Sequence, residues 1–269
     1  MCEQCSCLRA VYAIQCQDAS SAHIRVHCSH LGYALGVPEE QPTPRQRARA
    51  AVLSEIKQAA RGQLAERGAA ALSVREVARE LRMSSSGVYR YFSSRDELLT
   101  ALIVDAYDAL GAAVELAEAG VERADLLGRW RAAAHAVRDW ARSSPQEYGL
   151  VFGSPVPGYA APQDTIGPAA RVPLVLAGIL RDAAASGRAA PAGHVGAAVL
   201  DPTLIGAVAP LHGLPEGLVV AGLLAWSSLF GVVSFELFGH LVGSVRDHDA
   251  YFVVVTDRLA SSIGIGPAG

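Results

Sequence analysis

Cysteine is absent after Cys28, and aromatic residues make up only 6% of the 269 residues. The part of the chain that follows Cys28 therefore cannot depend on disulfides. Charged residues are also few, at 18%, whereas apolar residues reach 51%, and alanine and leucine supply most of them. This composition favours helices over sheets. We predict an all-α fold, and the length suits two packed units.

All five cysteines lie within residues 1–42, where no sustained hydrophobic period is present. Together with His23, His27 and His30 they are consistent with a metal-sensing segment, because thiolate and imidazole are the ligands that zinc prefers. The cysteines do not form two evenly spaced ligand pairs, however, so we predict no metal site. We interpret residues 1–42 as a disordered extension, translated from an early start codon.

Three signatures of helix N-termini occur between residues 43 and 97. Each has serine or threonine followed three positions later by glutamine or glutamate, which is the pattern of a capping box. Apolar residues at three- and four-residue spacing follow each signature, as in amphipathic helices. The pattern predicts a helix up to Arg67, a helix-turn-helix over residues 73–92 and a long helix after it. The three pairs are Thr43 and Gln46, Ser73 and Glu76, and Ser94 and Glu97.

Both helices predicted within residues 73–92 are too short to be stable alone, so they must pack on each other and on the preceding helix. The second helix keeps small and polar residues on its outer side, and such a helix can enter the major groove of DNA closely. The alternative is an ordinary helical hairpin with a solvated polar face. Charge favours DNA binding, because residues 43–107 carry a net charge of +4 while the whole chain has −3.

The stretch SVREVARELRMSSSGVYRYFSSRDELL resembles the DNA-binding domain of the tetracycline-repressor (TetR) family. The likeness covers residues 45–105 and has three features. They are a Val-Ala pair before the turn, a Tyr-x-x-Phe pair, and a basic residue followed by acidic residues and leucine. In this sequence they are Val77 and Ala78, Tyr89 and Phe92, and Arg95 to Leu98.

The resemblance implies which residues face DNA. Arg95 stands where the family usually has lysine, and it would bind phosphate together with the helix N-terminus. The sequence departs from the family at Arg82, where glycine is common and an extra phosphate contact would arise. It also departs at Tyr91, where histidine is frequent. The predicted DNA-binding residues are Thr43, Arg45, Ser84, Ser85, Ser86, Tyr89, Arg90, Tyr91 and Arg95.

Residues 96–269 are predicted to form a helical ligand-binding and dimerisation domain behind a DNA-binding domain at residues 43–95. Clusters of glycine and proline separate its helices. The segment from Phe152 to Ala170 has four prolines and is predicted to be a loop, either part of a pocket wall or a simple connection. The predicted helices cover residues 96–119, 124–143, 145–152, 168–187, 199–209, 215–240 and 248–263.

Residues 218–235 contain no charged side chain, a run long enough to span a membrane. Internal serines and glycines, and the lack of a flanking basic cluster, argue against a span. A helix that is apolar all round is otherwise buried. In TetR-like proteins the last two helices form the dimer interface, so we predict a homodimer through helices 215–240 and 248–263 and no membrane. The alternative is a membrane-associated helical protein anchored by residues 218–235.

The stretch from Trp226 to Leu237 resembles the C-terminal domain of the TetR sub-group that has a Trp…His-Gly signature, but Phe230 stands in the place of the histidine. This change removes any role for an imidazole in ligand contact. Aromatic residues of the second domain are candidates for lining an apolar pocket, with a polar group to orient the ligand, and the alternative for each is the core. The candidates are Trp130, Trp140, Tyr148, Phe152 and Trp226, with His135, Arg171 or Glu236.

These features predict a ligand-responsive transcriptional repressor. It would bind a near-palindromic double-stranded DNA operator as a homodimer and be released by a small-molecule effector. We recognise no phosphate-binding glycine loop and no nucleophile elbow, so we predict no enzymatic activity and no cofactor. We also recognise no signal peptide, which predicts a cytoplasmic, nucleoid-associated location in a bacterium. The acidic balance of the second domain favours a neutral or cationic effector.

Overall fold

The computed structural model describes residues 43–188, 199–201 and 208–266. In this part of the chain all regular secondary structure is helical, which confirms the predicted all-α class. The predicted extension at 1–42, with its cysteines and histidines, and most of the predicted helix at 199–209 lie outside the described residues. The α-helices are α1 (Pro44–Arg67), α2 (Val74–Glu80), α3 (Ser85–Tyr89), α4 (Arg95–Ala119), α5 (Leu126–Ser143), α6 (Pro145–Phe152), α7 (Ile166–Ala185), α8 (Glu216–Leu237) and α9 (His248–Ser262), with short 3-10 turns at Ala69–Ala71, Gln163–Thr165 and Ala209–Leu211.

Helices α1, α2 and α3 pack around a small apolar core, and each helix contributes one stripe of apolar side chains to it. Ile56 on α1, Val77 on α2 and Val88 on α3 are completely buried. Isolated helices shorter than about 12 residues are marginal in water, so this shared core is what stabilises the two short ones. The predicted helix-turn-helix is therefore present, with α2 and α3 as its two helices.

The first and third predicted capping signatures do cap their helices. Thr43 and Gln46 form a reciprocal box, since Thr43 N donates to Gln46 Oε1 at 2.7 Å and Gln46 N to Thr43 Oγ1 at 3.2 Å. Ser94 Oγ accepts from the backbone N–H of Glu97 at 3.0 Å. The Glu97 carboxylate does not return to Ser94, because it accepts from the backbone and hydroxyl of Ser93.

The capping box predicted at Ser73 is wrong. The Ser73 side chain makes no cap bond, and its backbone N–H donates to Gln63 Oε1 of α1 at 3.1 Å. The Glu76 carboxylate pairs with Arg67 at the end of α1. Two side chains of a neighbouring helix thus take the groups that a local capping box would have joined.

The predicted bounds of the later helices are close to those observed, and the loop after α6 is shorter than expected. The proline count predicts a loop as far as Ala170, but α7 begins at Ile166. Pro168 lies in the first turn of α7, where a helix needs no backbone N–H donor, so the helix tolerates it. Pro173 lies inside α7. Counting prolines overestimates the loop because their position in a helix matters more than their number.

Ion pairs hold α1 against the helices that follow the helix-turn-helix. Arg61 donates from Nη2 to Asp105 of α4 at 2.8 Å and from Nε to Glu147 of α6 at 2.7 Å. Lys57 Nζ reaches the other oxygen of Asp105 at 2.7 Å. All four side chains are partly buried, so water screens these pairs less than pairs at the open surface. The first helix is therefore attached to both α4 and α6.

A second group of ion pairs joins α5 to the last two helices. Arg138 is only 3% exposed, and its Nε and Nη2 each lie 2.7 Å from an oxygen of Glu236 on α8. Nη2 also lies 2.7 Å from Asp249 of α9, and the guanidinium carbon lies 4.8 Å from the centre of the Phe252 ring. Bidentate geometry of this kind fixes both distance and orientation. Arg138 thus holds α8 and α9 in register with α5.

Candidate DNA-binding and effector sites

The exposed side of α3 carries the side chains that are predicted to read DNA. Val88 and the following Phe92 point into the core, while Ser84 holds the first turn by accepting from Gly87 N at 3.1 Å. This arrangement turns the other residues outward. Tyr89 is 44% exposed and Arg90 is exposed as well. Ser86 is exposed, whereas Ser85 and Tyr91 are partly buried.

The start of α1 lies beside the end of α3. The guanidinium carbon of Arg49 stands 5.0 Å from the centre of the Tyr91 ring, a cation–π contact between the two segments. Thr43 and Arg45, one turn earlier on α1, are exposed. The structure therefore brings the predicted contacts at the start of α1 to the side of the domain where α3 ends.

Arginines without partners are concentrated in the helix-turn-helix region. Five exposed arginines between residues 43 and 95 form no salt bridge and no ring contact with any described residue, whereas most arginines after residue 120 are paired with carboxylates. Unpaired guanidinium groups are what a phosphate backbone requires. Sequence reasoning did not single out Arg47 and Arg75, although the positive balance of this region was the available signal. The five are Arg45, Arg47, Arg75, Arg82 and Arg90.

Arg95 has a structural role that the sequence did not predict. Its Nε donates to the carbonyl of Leu72 at 3.0 Å, and its Nη2 donates to the carbonyls of Ala69 and Ala70 at 2.9 and 3.2 Å. These carbonyls belong to the 3-10 turn between α1 and α2 and to the residue that follows it. Most of the guanidinium expected to bind phosphate is thereby engaged within the protein. Only a tertiary contact across more than twenty residues reveals this.

Three of the predicted pocket residues meet in an aromatic cluster between α6 and α8. The ring centres of Tyr148 and Phe152 are 5.0 Å apart, and those of Phe152 and Phe230 are 4.5 Å apart. Trp226 extends the cluster, with its ring 6.2 Å from Phe230. Phe230, which replaces the signature histidine, therefore joins Trp226 to the rest of the cluster. Tyr107, Trp140 and Phe238 flank it.

The cluster holds one satisfied and one unsatisfied polar group. The Tyr148 hydroxyl lies 3.1 Å from the carbonyl of Phe230 and 2.8 Å from Ser234 Oγ, and burial raises the pKa of this tyrosine. The indole Nε1 of Trp226 is buried and has no hydrogen-bond partner among the described residues. A buried donor without a partner is uncommon, and an acceptor on a bound molecule would satisfy it. The indole N–H is the free polar group of this region.

The other pocket candidates lie elsewhere. Trp130 Nε1 donates to the carbonyl of Thr256 at 2.9 Å, and the His135 ring packs edge-on against Phe252 at 5.2 Å. Both residues thus form the contact between α5 and α9. Arg171 of α7 binds carboxylates of α4, and Glu236 is taken by Arg138. The structure does not bring these residues to the aromatic cluster.

Helices α8 and α9 leave large apolar side chains exposed although they pack on each other. By length and composition alone α8 is able to cross a membrane, and a third of its apolar stretch is buried within the protein. The exposed apolar side chains of α8, of α9 and of the residue after α8 include Leu224, Phe235, Phe238, Val253 and Val254.

Among the described residues no three His, Cys, Asp or Glu side chains are grouped so as to hold a metal ion.

Comparison with known proteins gives matches at both ends of the described chain. Residues 56–102 match the family model of bacterial regulatory proteins of the tetR family. Residues 130–259 match the model of the tetracyclin repressor-like C-terminal domain. The HTH-type transcriptional regulators Rv1816 of Mycobacterium tuberculosis and Mb1846 of Mycobacterium bovis are each 40% identical over 210 residues, covering 72% of this chain and 84% of theirs.

Solved structures agree with these matches. The regulatory protein SCO4313 is 36% identical and superposes with a TM-score of 0.63, covering 81% of this chain and all of that one. The TetR family transcriptional regulator PfmR from Thermus thermophilus has a TM-score of 0.51 at 20% identity, over 80% of this chain and 99% of its own. The latter likeness concerns the fold alone.

Proposed function

Because the chain belongs to the tetR family of bacterial regulatory proteins, we propose that it is a homodimeric repressor that binds a near-palindromic operator and releases it when a small molecule binds. The observation that carries the proposal is the exposed polar side of α3, together with five unpaired arginines in the same domain. Such a surface suits the major groove and its phosphates, and the family is one of transcription regulators. The repressor acts in the bacterial cytoplasm.

The DNA-facing surface divides into base-reading and backbone-binding parts. Ser85 and Ser86 at the start of α3 are small enough to let the helix approach base edges, while Tyr89 and Arg90 reach further. Thr43 and Arg45 at the start of α1 contact the phosphate backbone. Tyr91 supports this surface through its contact with Arg49 instead of reading bases. Phosphate contacts set the register of the protein, and base contacts set the sequence.

The dimer forms through α8 and α9. Large exposed apolar side chains on a packed helix pair are costly in water, and a symmetric partner covers them with the same surface. The polar attachments of α8 oppose its use as a membrane anchor. Tyr148 bonds to its backbone and Arg138 pairs with its Glu236, so leaving the helical body would break both. This argues for a dimer over a membrane-associated protein anchored by residues 218–235.

The effector binds at the aromatic cluster between α6 and α8. Phe152 and Trp226 are only partly buried and contribute aromatic rings, and the indole N–H of Trp226 offers one donor. Neighbouring charges such as Arg138 are already paired, so a charged effector would find no counter-ion there. We therefore propose a mostly apolar, uncharged effector with one acceptor oxygen. The effector binds better to the dimer conformation in which the spacing of the two α3 helices does not fit DNA. It therefore raises the population of that conformation.

Titration of a labelled DNA fragment from upstream of its own gene tests the DNA-binding part of the proposal. We expect tight binding at low salt that weakens steeply as salt rises. Arg90→Ala should weaken binding by roughly tenfold, since a good base or phosphate contact is worth about 1–3 kcal/mol. Arg188→Ala, which removes an exposed arginine after α7, should not. Binding that is indifferent to both salt and Arg90 would refute the proposal.

A further inference from the structure

The turn between α2 and α3 contains an arginine in an unfavourable backbone conformation. Arg82 has φ of 54°, and it is the only residue other than glycine with positive φ among the described residues. A side chain with a Cβ is disfavoured in the left-handed region, whereas glycine adopts it freely. An arginine at this position therefore lowers the stability of the fold compared with glycine.

The backbone of the turn needs this conformation, but the fold does not need the side chain. Arg82 N donates to the carbonyl of Arg79 at 3.2 Å, and Met83 N donates to that of Ala78 at 2.8 Å. These bonds close the turn and would form equally with glycine. The Arg82 guanidinium is exposed and makes no hydrogen bond, ion pair or aromatic contact with any described residue, including the nearby Glu80. The Arg82 side chain therefore makes no polar or aromatic contact within the described residues that would offset the strain.

A large side chain that is kept at a strained position without any contact inside the fold points to a role outside the fold. Arg82 stands two residues before Ser84, the N-cap of α3, so its backbone lies close to the start of the helix that is proposed to enter the groove. Arg75 and Arg90 are equally unpaired on the same helix-turn-helix. The helix-turn-helix therefore carries three positive charges that no described carboxylate neutralises.

We propose that Arg82 binds a phosphate of the operator backbone, and that the free energy of this contact outweighs the strain that it places on the turn. The inference rests on the proposed DNA-binding function. The ligand is the phosphodiester backbone of duplex DNA, so the contact adds affinity without adding sequence preference. Arg82 is thus a backbone-anchoring residue, distinct from Ser85, Ser86 and Tyr89 on the base-facing side.

Arg82→Gly separates the effect on stability from the effect on DNA affinity, because the first should rise and the second should fall. The variant should unfold at a higher temperature than the natural protein, since glycine relieves the strain. It should bind operator DNA and unrelated DNA more weakly by the same factor. The slope of log Kd against log salt concentration should fall by about 0.9, the value for one lost phosphate contact. Arg82→Lys should keep the slope, because it keeps the charge.

Arg79→Ala is the matched control. Arg79 is an exposed arginine only three residues away, and it lies 3.7 Å from Glu76. Its loss changes the net charge as much as Arg82→Gly does, but should leave the salt slope unchanged. An unaltered slope in Arg82→Gly, or equal losses in the two variants, overturns the inference while DNA binding stands. If the natural protein shows no salt-dependent DNA binding, the inference and the proposed function both fail.

Discussion

Arg171 of α7 crosses α4 directly over Gly111, so closely that a Cβ at position 111 would lie 2.7 Å from Arg171 Nε. On either side of this crossing the guanidinium binds α4. Its Nη1 lies 2.8 Å from the carbonyl of Asp108 and 2.9 Å from its carboxylate, and its Nη2 lies 2.6 Å from Glu115. These partners, the Glu115 hydrogen bonds foremost, raise the pKa of Arg171. The glycine is what allows α7 to approach α4.

We expect Gly111→Ala to destabilise the protein by about 1–3 kcal/mol, because the added methyl group displaces the Arg171 stem from a packed contact. Denaturant unfolding followed by circular dichroism measures the change. Gly62→Ala is the control, since Gly62 is exposed within α1 and a Cβ there meets nothing within 4 Å. It should raise stability by roughly 0.5–1 kcal/mol, because alanine suits a helix better. Equal effects of the two changes would contradict this account of Gly111.

Arg138→Ala should be among the most destabilising single changes in α5. It leaves the mostly buried carboxylate of Glu236 without its counter-ion, which typically costs about 3–5 kcal/mol. Arg131→Ala on the same helix breaks a comparable pair with Asp257, but those side chains are far more exposed, at 45% and 36%. That loss should stay below about 1 kcal/mol. Thermal unfolding of both variants distinguishes them, and similar losses would mean that burial of Arg138 does not matter.

Acid should destabilise the protein through carboxylates that have favourable partners only in the folded state. The hydrogen bond from Arg131 lowers the pKa of Asp257, and the hydrogen bonds from Ser93 lower the pKa of Glu97. Their stabilisation is fully present above the unfolded pKa, which is about 4, and is lost as pH falls through the lower folded value.

Denaturant midpoints measured from about pH 7 down to about pH 3 should therefore decline below about pH 5. The double variant Asp257→Asn with Glu97→Gln should decline less steeply, because neither amide titrates. Both side chains lie near the surface, so the difference in slope will be small. A variant that declines as steeply as the natural protein would show that other groups dominate the acid response.

Leu224→Glu should dissociate the proposed dimer. Leu224 is 60% exposed on α8, and a carboxylate there would be buried without a partner in a symmetric interface. Leu116→Glu is the matched control, because Leu116 is even more exposed, at 77%, but lies at the end of α4. Sedimentation velocity should give a monomer for the first variant and a dimer for the second. A monomeric natural protein, or a dimer unaffected by Leu224→Glu, would refute the proposed interface.

Local patterns were sufficient to predict most of the helices. The capping box of Thr43 and Gln46 and the apolar period after it depend only on neighbouring residues, so the start of α1 was predicted correctly. The same is true of α6, whose bounds at Pro145 and Phe152 agree with the expected ones. Helix signals of this kind act within a few residues, and the sequence displays them directly.

Local patterns did not predict the roles of residues whose partners lie far away in the sequence. Arg95 was expected to bind phosphate, but carbonyls of a turn more than twenty residues earlier engage it. The reciprocal half of the capping box at Ser73 is lost because Gln63 of another helix accepts from its backbone N–H and Arg67 engages the Glu76 carboxylate. Arg171 was a candidate for orienting a bound ligand by its charge, yet it packs over Gly111. In each case the group that binds the residue becomes its neighbour only when the chain has folded.

The consecutive residues Glu147 and Tyr148 of α6 are bonded to different parts of the molecule. Glu147 binds Arg61 of α1, and Tyr148 binds the backbone of α8. A helix of eight residues is about 12 Å long and has no room to flex between two adjacent attachments. We therefore expect α6 to couple a movement of α8 to α1. Under the proposed function, Glu147→Gln would therefore weaken the coupling between effector binding and DNA release, while the aromatic cluster and α3 keep their side chains.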